Sequence, residues 1–249
     1  MGKVYQKTTG LAIQQGIFEE SSTAKHSVGT RMQLADGRVF YYAKAGGALG
    51  QGKLCMGAAI ADNHTNKAVT TAAAAGAYTF GWTPGATAIT AGQYDEGYAV
   101  INDASGEGYT YKIKLIPATS ASTACTVTLY DPLQVALTTS SEVTLFPNLF
   151  SSVTQTATEE NIPAGVPLRA GTSAYYLWLQ TWGVVGCLRA TVGVTSDHGA
   201  MLIPAATTGA VTGVTGTTAA NNYRVPLVGI SGSVGVVGEY RPICLQLHP

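Results

Sequence analysis

Along the chain, apolar and polar residues fall into steady alternation only after the first thirty positions. Residues 1–30 mix the two kinds without a period, which predicts an extended arm that orders only when something outside the domain holds it. Val4, Tyr5, Leu11, Ile13, Ile17 and Phe18 are the apolar anchors expected to meet a partner chain. Strand-like runs then appear at Arg31-Met32-Gln33-Leu34-Ala35 and Arg38-Val39-Phe40-Tyr41-Tyr42-Ala43. Asp36-Gly37 between them predicts a hairpin with a type I′ turn, which needs positive φ at both central positions. A glycine-dense loop follows over Gly46–Lys53. Ala68 to Ala77 is alanine-rich, yet Thr70-Thr71, Gly76 and the lack of charged i,i+4 pairs favour a strand and loop over a helix.

The middle of the chain is clearer. Gly97 to Ile101 and Tyr109 to Ile116 read as a hairpin with a long polar loop. Its return strand alternates, with Thr110, Lys112 and Lys114 on one face and Tyr109, Tyr111, Ile113 and Leu115 on the other. Cys125–Tyr130 and Glu142–Phe146 read as further strands, and Pro132–Leu137 is the place where a short helix would fit. Glu159 to Gly165 reads as a polar joint. Beyond it, Ala174–Trp182, Val184–Val194, Met201–Ile203, Val225–Ile230 and Arg241–Leu247 are short strands set apart by Gly, Pro and Asp. The pattern predicts an all-β fold: a short-stranded β-sandwich or β-barrel with an extended N-terminal arm and little helix. Its expected parts are the arm (1–30), a hairpin-bearing β domain (31–160) and a small barrel-like domain (161–249). Whether the last two pack as one unit stays open.

Composition narrows the function. The chain has 249 residues, 11% of them charged, 30 glycines and a net charge of zero. Such neutrality offers no general attraction to nucleic acid or anionic lipid. Hydrophobic content of 46% argues against disorder, and no apolar run is long enough for a membrane helix. The N-terminus lacks a signal-peptide core, so synthesis in the cytoplasm without processing is expected. Cys55, Cys125, Cys187 and Cys244 are too scattered for a Cys-x-x-Cys site and read as small buried thiols.

Candidate chemistry is sparse. Gly47-Ala48-Leu49-Gly50-Gln51-Gly52-Lys53 fits the Gly-x4-Gly-Lys of a phosphate-binding loop, but Leu54 stands where Ser or Thr would hold Mg²⁺. Gly229-Ile230-Ser231-Gly232-Ser233 has the wrong register for a nucleophile elbow. Ser196-Asp197-His198 lacks the convergence of a triad. His26, His64, His198 and His248 have no metal-site spacing. The acidic pairs Glu19-Glu20, Asp95-Glu96 and Glu159-Glu160 are the remaining candidates for acid–base work, and solvated surface explains them as well. No catalytic, cofactor-binding or metal-binding residue is expected.

Several segments carry a resemblance. Val28-Gly29-Thr30-Arg31 with Asp36-Gly37-Arg38-Val39-Phe40-Tyr41-Tyr42-Ala43, the Gly97–Ile113 hairpin, Leu129-Tyr130-Asp131-Pro132-Leu133 and Ser141–Asn148 are similar to segments of tailed-phage structural proteins. Trp178–Gly183, Leu202-Ile203-Pro204-Ala205, Val228-Gly229-Ile230 and Gly238–Leu245 resemble the small β-barrel of phage capsid decoration, or cement, proteins. The resemblance implies a non-enzymatic auxiliary head protein on the capsid surface of the virion, often a homotrimer, bound to the major capsid protein. It implies no cofactor, no direct nucleic-acid contact and no membrane. Two other classes remain. A head or tail fibre component binding carbohydrate or host would need an exposed aromatic platform, with Trp82, Trp178 or Trp182 as candidates, and a hydrolase would need His198 beside a nucleophile and an acid.

Overall fold

The computed structural model describes residues 14–155, 161–190, 199–214, 227–232 and 238–249. The fold is all-β, and a single turn of 3₁₀ helix at Asp62–His64 is the helical element among the described residues. Pro132–Leu137 forms no helix. Its ends pair instead, with Leu133 N donating to Ala77 O at 2.8 Å and Leu137 N to Ala73 O at 2.8 Å.

The chain divides at other places than the sequence suggests. Among the described residues, one compact unit combines those up to 58 with those from 152 onward, and the second is 59–151. Pairing between distant segments is the reason. In the first unit the strands are β1 (Glu20–Ser21), β2 (Arg31–Gln33), β3 (Val39–Lys44) and β4 (Cys55–Met56). In the second they are β5 (Lys67–Thr71), β6 (Thr79–Trp82), β7 (Tyr98–Asp103), β8 (Thr110–Leu115), β9 (Cys125–Leu129) and β10 (Glu142–Phe146). The first unit resumes with β11 (Pro163–Pro167), β12 (Tyr176–Leu188), β13 (Met201–Pro204), β14 (Val211–Gly213), β15 (Gly229–Ser231) and β16 (Tyr240–Gln246). Strand β3 pairs with β12 and β4 with β11, so the beginning and end of the chain build one sheet.

That sheet is open and ten-stranded, in the order β14-β13-β15-β16-β12-β11-β4, with β1 and β3 also on β12 and β2 on β3. Its spine is β12, thirteen residues long where the sequence suggests two short strands. The run survives Gly183 and Gly186 because its two halves answer to different partners, Tyr176–Trp182 to β3 and Trp182–Leu188 to β16. The handover is a bulge, with the register shifting between Gln180 and Trp182 and Gly183 at φ 88°. Buried Gln180 braces it, its Nε2 donating to Trp182 O at 3.1 Å and Val184 O at 2.9 Å. Pro163 to Gly165, expected to end a joint, instead open the buried strand Pro163–Pro167, whose prolines sit at its two ends, where a missing N–H is tolerated.

The β2–β3 hairpin forms with a different turn. Gly37 N donates to Leu34 O at 3.0 Å and Leu34 N to Arg38 O at 2.9 Å. Positive φ falls on Gly37 (87°) and not on Asp36. This is a three-residue loop with a glycine bulge instead of type I′. Asp36 is free to accept from Arg38 N at 3.1 Å and Arg38 Nε at 2.7 Å.

Residues 14–30, expected to belong to a loose arm, are held by their own unit. Trp178 Nε1 donates to Gln15 O at 2.8 Å, Tyr42 Oη to Gln15 Oε1 at 2.6 Å, and Gln15 Nε2 to Tyr176 O at 2.9 Å. Ile17 joins a core of Met32, Leu34, Phe40, Tyr42 and Trp178. A buried apolar side chain and several long-range bonds supply what an unattached arm would lack.

In the second unit six strands close into a barrel, β10-β5-β6-β9-β8-β7. Val69, Phe80, Trp82, Ile101, Ile113, Val127, Leu129 and Leu145 fill it. The predicted β7–β8 hairpin is present, with Tyr98 opposite Lys112. Its alternation fails at one end, where the register shifts between Ile113 and Leu115. Leu115 therefore faces out and Ile116 takes the interior place.

Candidate functional site

The glycine-dense loop before Leu54 spends several of its backbone donors on its own fold. Leu49 N donates to Gly171 O at 2.9 Å, Gly52 N to Pro167 O at 2.8 Å and Leu54 N to Gly209 O at 2.7 Å. Gly50 N donates to Gln155 Oε1 at 2.8 Å, and Gln155 Nε2 returns a bond to Gly50 O at 2.8 Å. A phosphate cradle works by pointing such N–H groups together at the anion, whereas Gly50 and Gly52 of the motif point theirs at protein acceptors.

The titratable candidates are likewise engaged. Glu19 Oε2 accepts from Gly16 N at 2.8 Å, and Glu20 bonds Arg169 at 2.8 Å and Thr172 N at 2.8 Å. His26 lies against Tyr42 and Trp178, and partial burial lowers its pKa. His64 is fully buried in the barrel between the Tyr94 hydroxyl and Thr87 O. His248 meets Pro163 O at 3.1 Å. Among the described residues no three His, Cys, Asp or Glu side chains converge as a metal site. His198, Ser196 and Glu159-Glu160 lie outside the described residues. Cys55 and Cys187 are buried free thiols, both pushed up to about 12 by desolvation, and are poor nucleophiles there. Cys125 and Cys244 are half-buried and also unpaired.

What the strands do assemble is two rows of outward-facing side chains. The first crosses the open sheet. Val184 on β12 is opposite Cys244 on β16, Cys244 is opposite Ile230 on β15, and Ile230 is opposite Met201 on β13. Cross-strand partners project from the same face, so these four side chains form an uncharged row. Their chain neighbours Val185, Ile243, Leu245 and Leu202 fill the core on the other face. The row is open at both ends, Val184 being 64% and Met201 56% exposed. Alongside runs a row almost without side chains, in which Gly186 is opposite Pro242 and Gly232 N donates to Pro242 O at 3.1 Å.

The second row crosses the barrel's outer face. Phe146 on β10 is opposite Tyr98 on β7, Tyr98 is opposite Lys112 on β8, and Tyr130, one residue past β9, donates its N–H to Lys112 O at 3.0 Å. Lys112 Nζ is 2.7 Å from Glu96 Oε2 and 5.5 Å from the Tyr130 ring centre. The Tyr130 hydroxyl also donates to Glu96. Burial alone would raise the Glu96 pKa, but the bonds from Lys112 and Tyr130 outweigh it and hold the carboxyl below its ordinary range. The bond to Glu96 raises the Tyr130 phenol. Neighbouring Asp95 shifts the other way, raised first by burial and then by the Glu96 charge, and its buried Oδ1 has no partner among the described residues.

Of the residues expected to meet a partner, Val4, Tyr5, Leu11 and Ile13 lie outside the described residues. Ile17 is buried in its own unit, and Phe18 is exposed. Trp82 and Trp178 are core residues and Trp182 is half-buried, so the first two cannot form an aromatic platform. Both rows escape sequence reading because each joins positions far apart in the chain. The abundance of tyrosine, 13 residues, is a compositional hint toward the second row. No protein-family model, curated protein or solved structure matches the chain.

Proposed function

We propose that this chain is a non-enzymatic structural protein of a phage virion, a decoration protein that binds the major capsid protein lattice and stabilises the head. The observation that carries the reading is the uncharged row Val184–Cys244–Ile230–Met201 beside a flat Gly–Pro–Gly row. A sheet face of this kind, apolar and without protruding charge, suits close packing against another protein surface. The low charge content, 11%, fits docking by shape more than by electrostatic steering. Area buried across a lattice joint stabilises the assembled state by mass action. The sequence resemblance to capsid decoration proteins supplies the identity of the lattice.

Quantitative mass spectrometry of purified particles tests this. A copy number comparable to the major capsid protein is expected, and a few copies per particle would point to a fibre instead. A Val184→Asp, Met201→Asp double variant is expected to fold and to lose most of its occupancy on particles. Full occupancy by that variant would remove the row from the interface.

A further inference from the structure

We infer that the outer face of the barrel is a binding platform for a neutral pyranose oligosaccharide, through Tyr98, Lys112, Tyr130 and Glu96. The inference rests on the second row and does not depend on the capsid reading. A pyranose ring offers an apolar C–H face and a rim of hydroxyls. It is held by aromatic faces together with a few fixed donors and acceptors, the general composition of a small-molecule site. Tyr98 and Tyr130 are exposed and lie on either side of Lys112 in register. Two strand spacings separate them, about 10 Å, which is the reach of two linked sugar rings. Lys112 between them can donate to ring hydroxyls, and Glu96 can accept from them.

The polar groups are already in place. Lys112 is fixed by Glu96 at 2.7 Å and lies over the Tyr130 ring at 5.5 Å, while the Tyr130 hydroxyl is tied to the same carboxylate. A ligand would pay little to order them. The charge balance identifies the ligand class. Glu96 neutralises Lys112 across the pair, so a sulfated or phosphorylated sugar finds no uncompensated cation in the row. A purely apolar protein contact would have no use for a fixed ion pair at its centre.

Isothermal titration calorimetry on the full chain, with cellohexaose, chitohexaose, maltohexaose and a heparin hexasaccharide, is the direct test. Saturable binding of at least one neutral hexasaccharide is expected, with the heparin probe weaker. Tyr98→Ala and Tyr130→Ala are each expected to weaken binding by about tenfold, as loss of one stacking face implies. Tyr130→Phe, which keeps the ring and is the safer variant for folding, is expected to cost less than Tyr130→Ala. Val184→Asp is expected to leave binding unchanged. Three results would each overturn the proposal: no binding by the neutral probes at millimolar concentration, binding of the heparin probe alone, or binding indifferent to Tyr98 and Tyr130. Loss of particle decoration by Tyr98→Ala, with no sugar bound by the parent chain, would reassign the row to a protein contact and leave the capsid reading standing.

Discussion

Trp82 in the barrel and Trp178 in the open sheet are both fully buried, yet they are held differently. Trp82 Nε1 has no acceptor among the described residues, whereas Trp178 Nε1 donates to Gln15 O at 2.8 Å. The two units differ in the same sense. The barrel closes on itself, uses short-range hairpins such as β7–β8, and pairs every one of its six strands on both sides. The open sheet is sewn from segments more than a hundred residues apart and recruits the stretch from Gln15 to Ser21 to complete itself. Closure removes edges, so the barrel's outer face is free to carry charged and aromatic side chains. An open sheet has edges and an uncovered face, and here that face is apolar.

The comparison is broken most directly by emptying one core. Trp82→Ala should cost the barrel about 3–5 kcal/mol. Hydrogen exchange should then show strands β5–β10 losing protection while β12 keeps it. Equal loss in both units would mean that they unfold as one.

A finer test exchanges each tryptophan for phenylalanine. Trp178→Phe leaves the Gln15 carbonyl buried and unbonded, a loss of about 1–3 kcal/mol beyond the change in volume. Trp82→Phe removes an N–H that has no partner among the described residues and should cost less. Chemical denaturation of both variants reads the difference, and equal costs would mean that the Gln15 bond does not anchor the N-terminal stretch.

The smallest effect lies on the barrel surface. Glu96 has a lowered pKa, so its contribution is present above the ordinary carboxylate range and is lost as pH falls through its depressed value. Asp95 has a raised pKa, so its ionised form costs stability near neutral pH, and that cost fades on acidification. Glu96→Gln should lower, and Asp95→Asn raise, the melting temperature at pH 7. Both differences should shrink toward pH 3, and each should amount to less than about 1 kcal/mol after solvent screening. Shifts of the same sign in the two variants would contradict the opposed environments of these adjacent carboxyls.

Hairpin-scale structure was legible in the sequence, because strict alternation such as Tyr111-Lys112-Ile113 reports which side faces a core. It misled at Leu115, where a bulge shifts the phase by one residue, and an insertion of that kind leaves no local mark. Gly183 looked like a break in β12. Partners on separate segments carry the strand through it, so the tertiary pairing overrides the glycine signal. Pro163 and Gly165 misread a buried strand as a joint for the same reason. The two surface rows arise from register between β12, β16, β15 and β13, and between β10, β7, β8 and β9, which no single window of sequence contains.

Met56 and Thr154 exchange both backbone bonds, Met56 N to Thr154 O at 2.8 Å and Thr154 N to Met56 O at 3.0 Å. The chain thus leaves its first unit and returns to it at adjacent points, with residues 59–151 folded between. During synthesis the barrel has all of its strands before β11 or β12 exists, while β1, β3 and β4 must wait for partners not yet translated. Local pairing forms faster than distant pairing, so the ribosome delivers a finished barrel ahead of an unfinished sheet. For an interval the early strands of that sheet lack their partners, and unpaired strand edges of this kind are a hazard to the nascent chain.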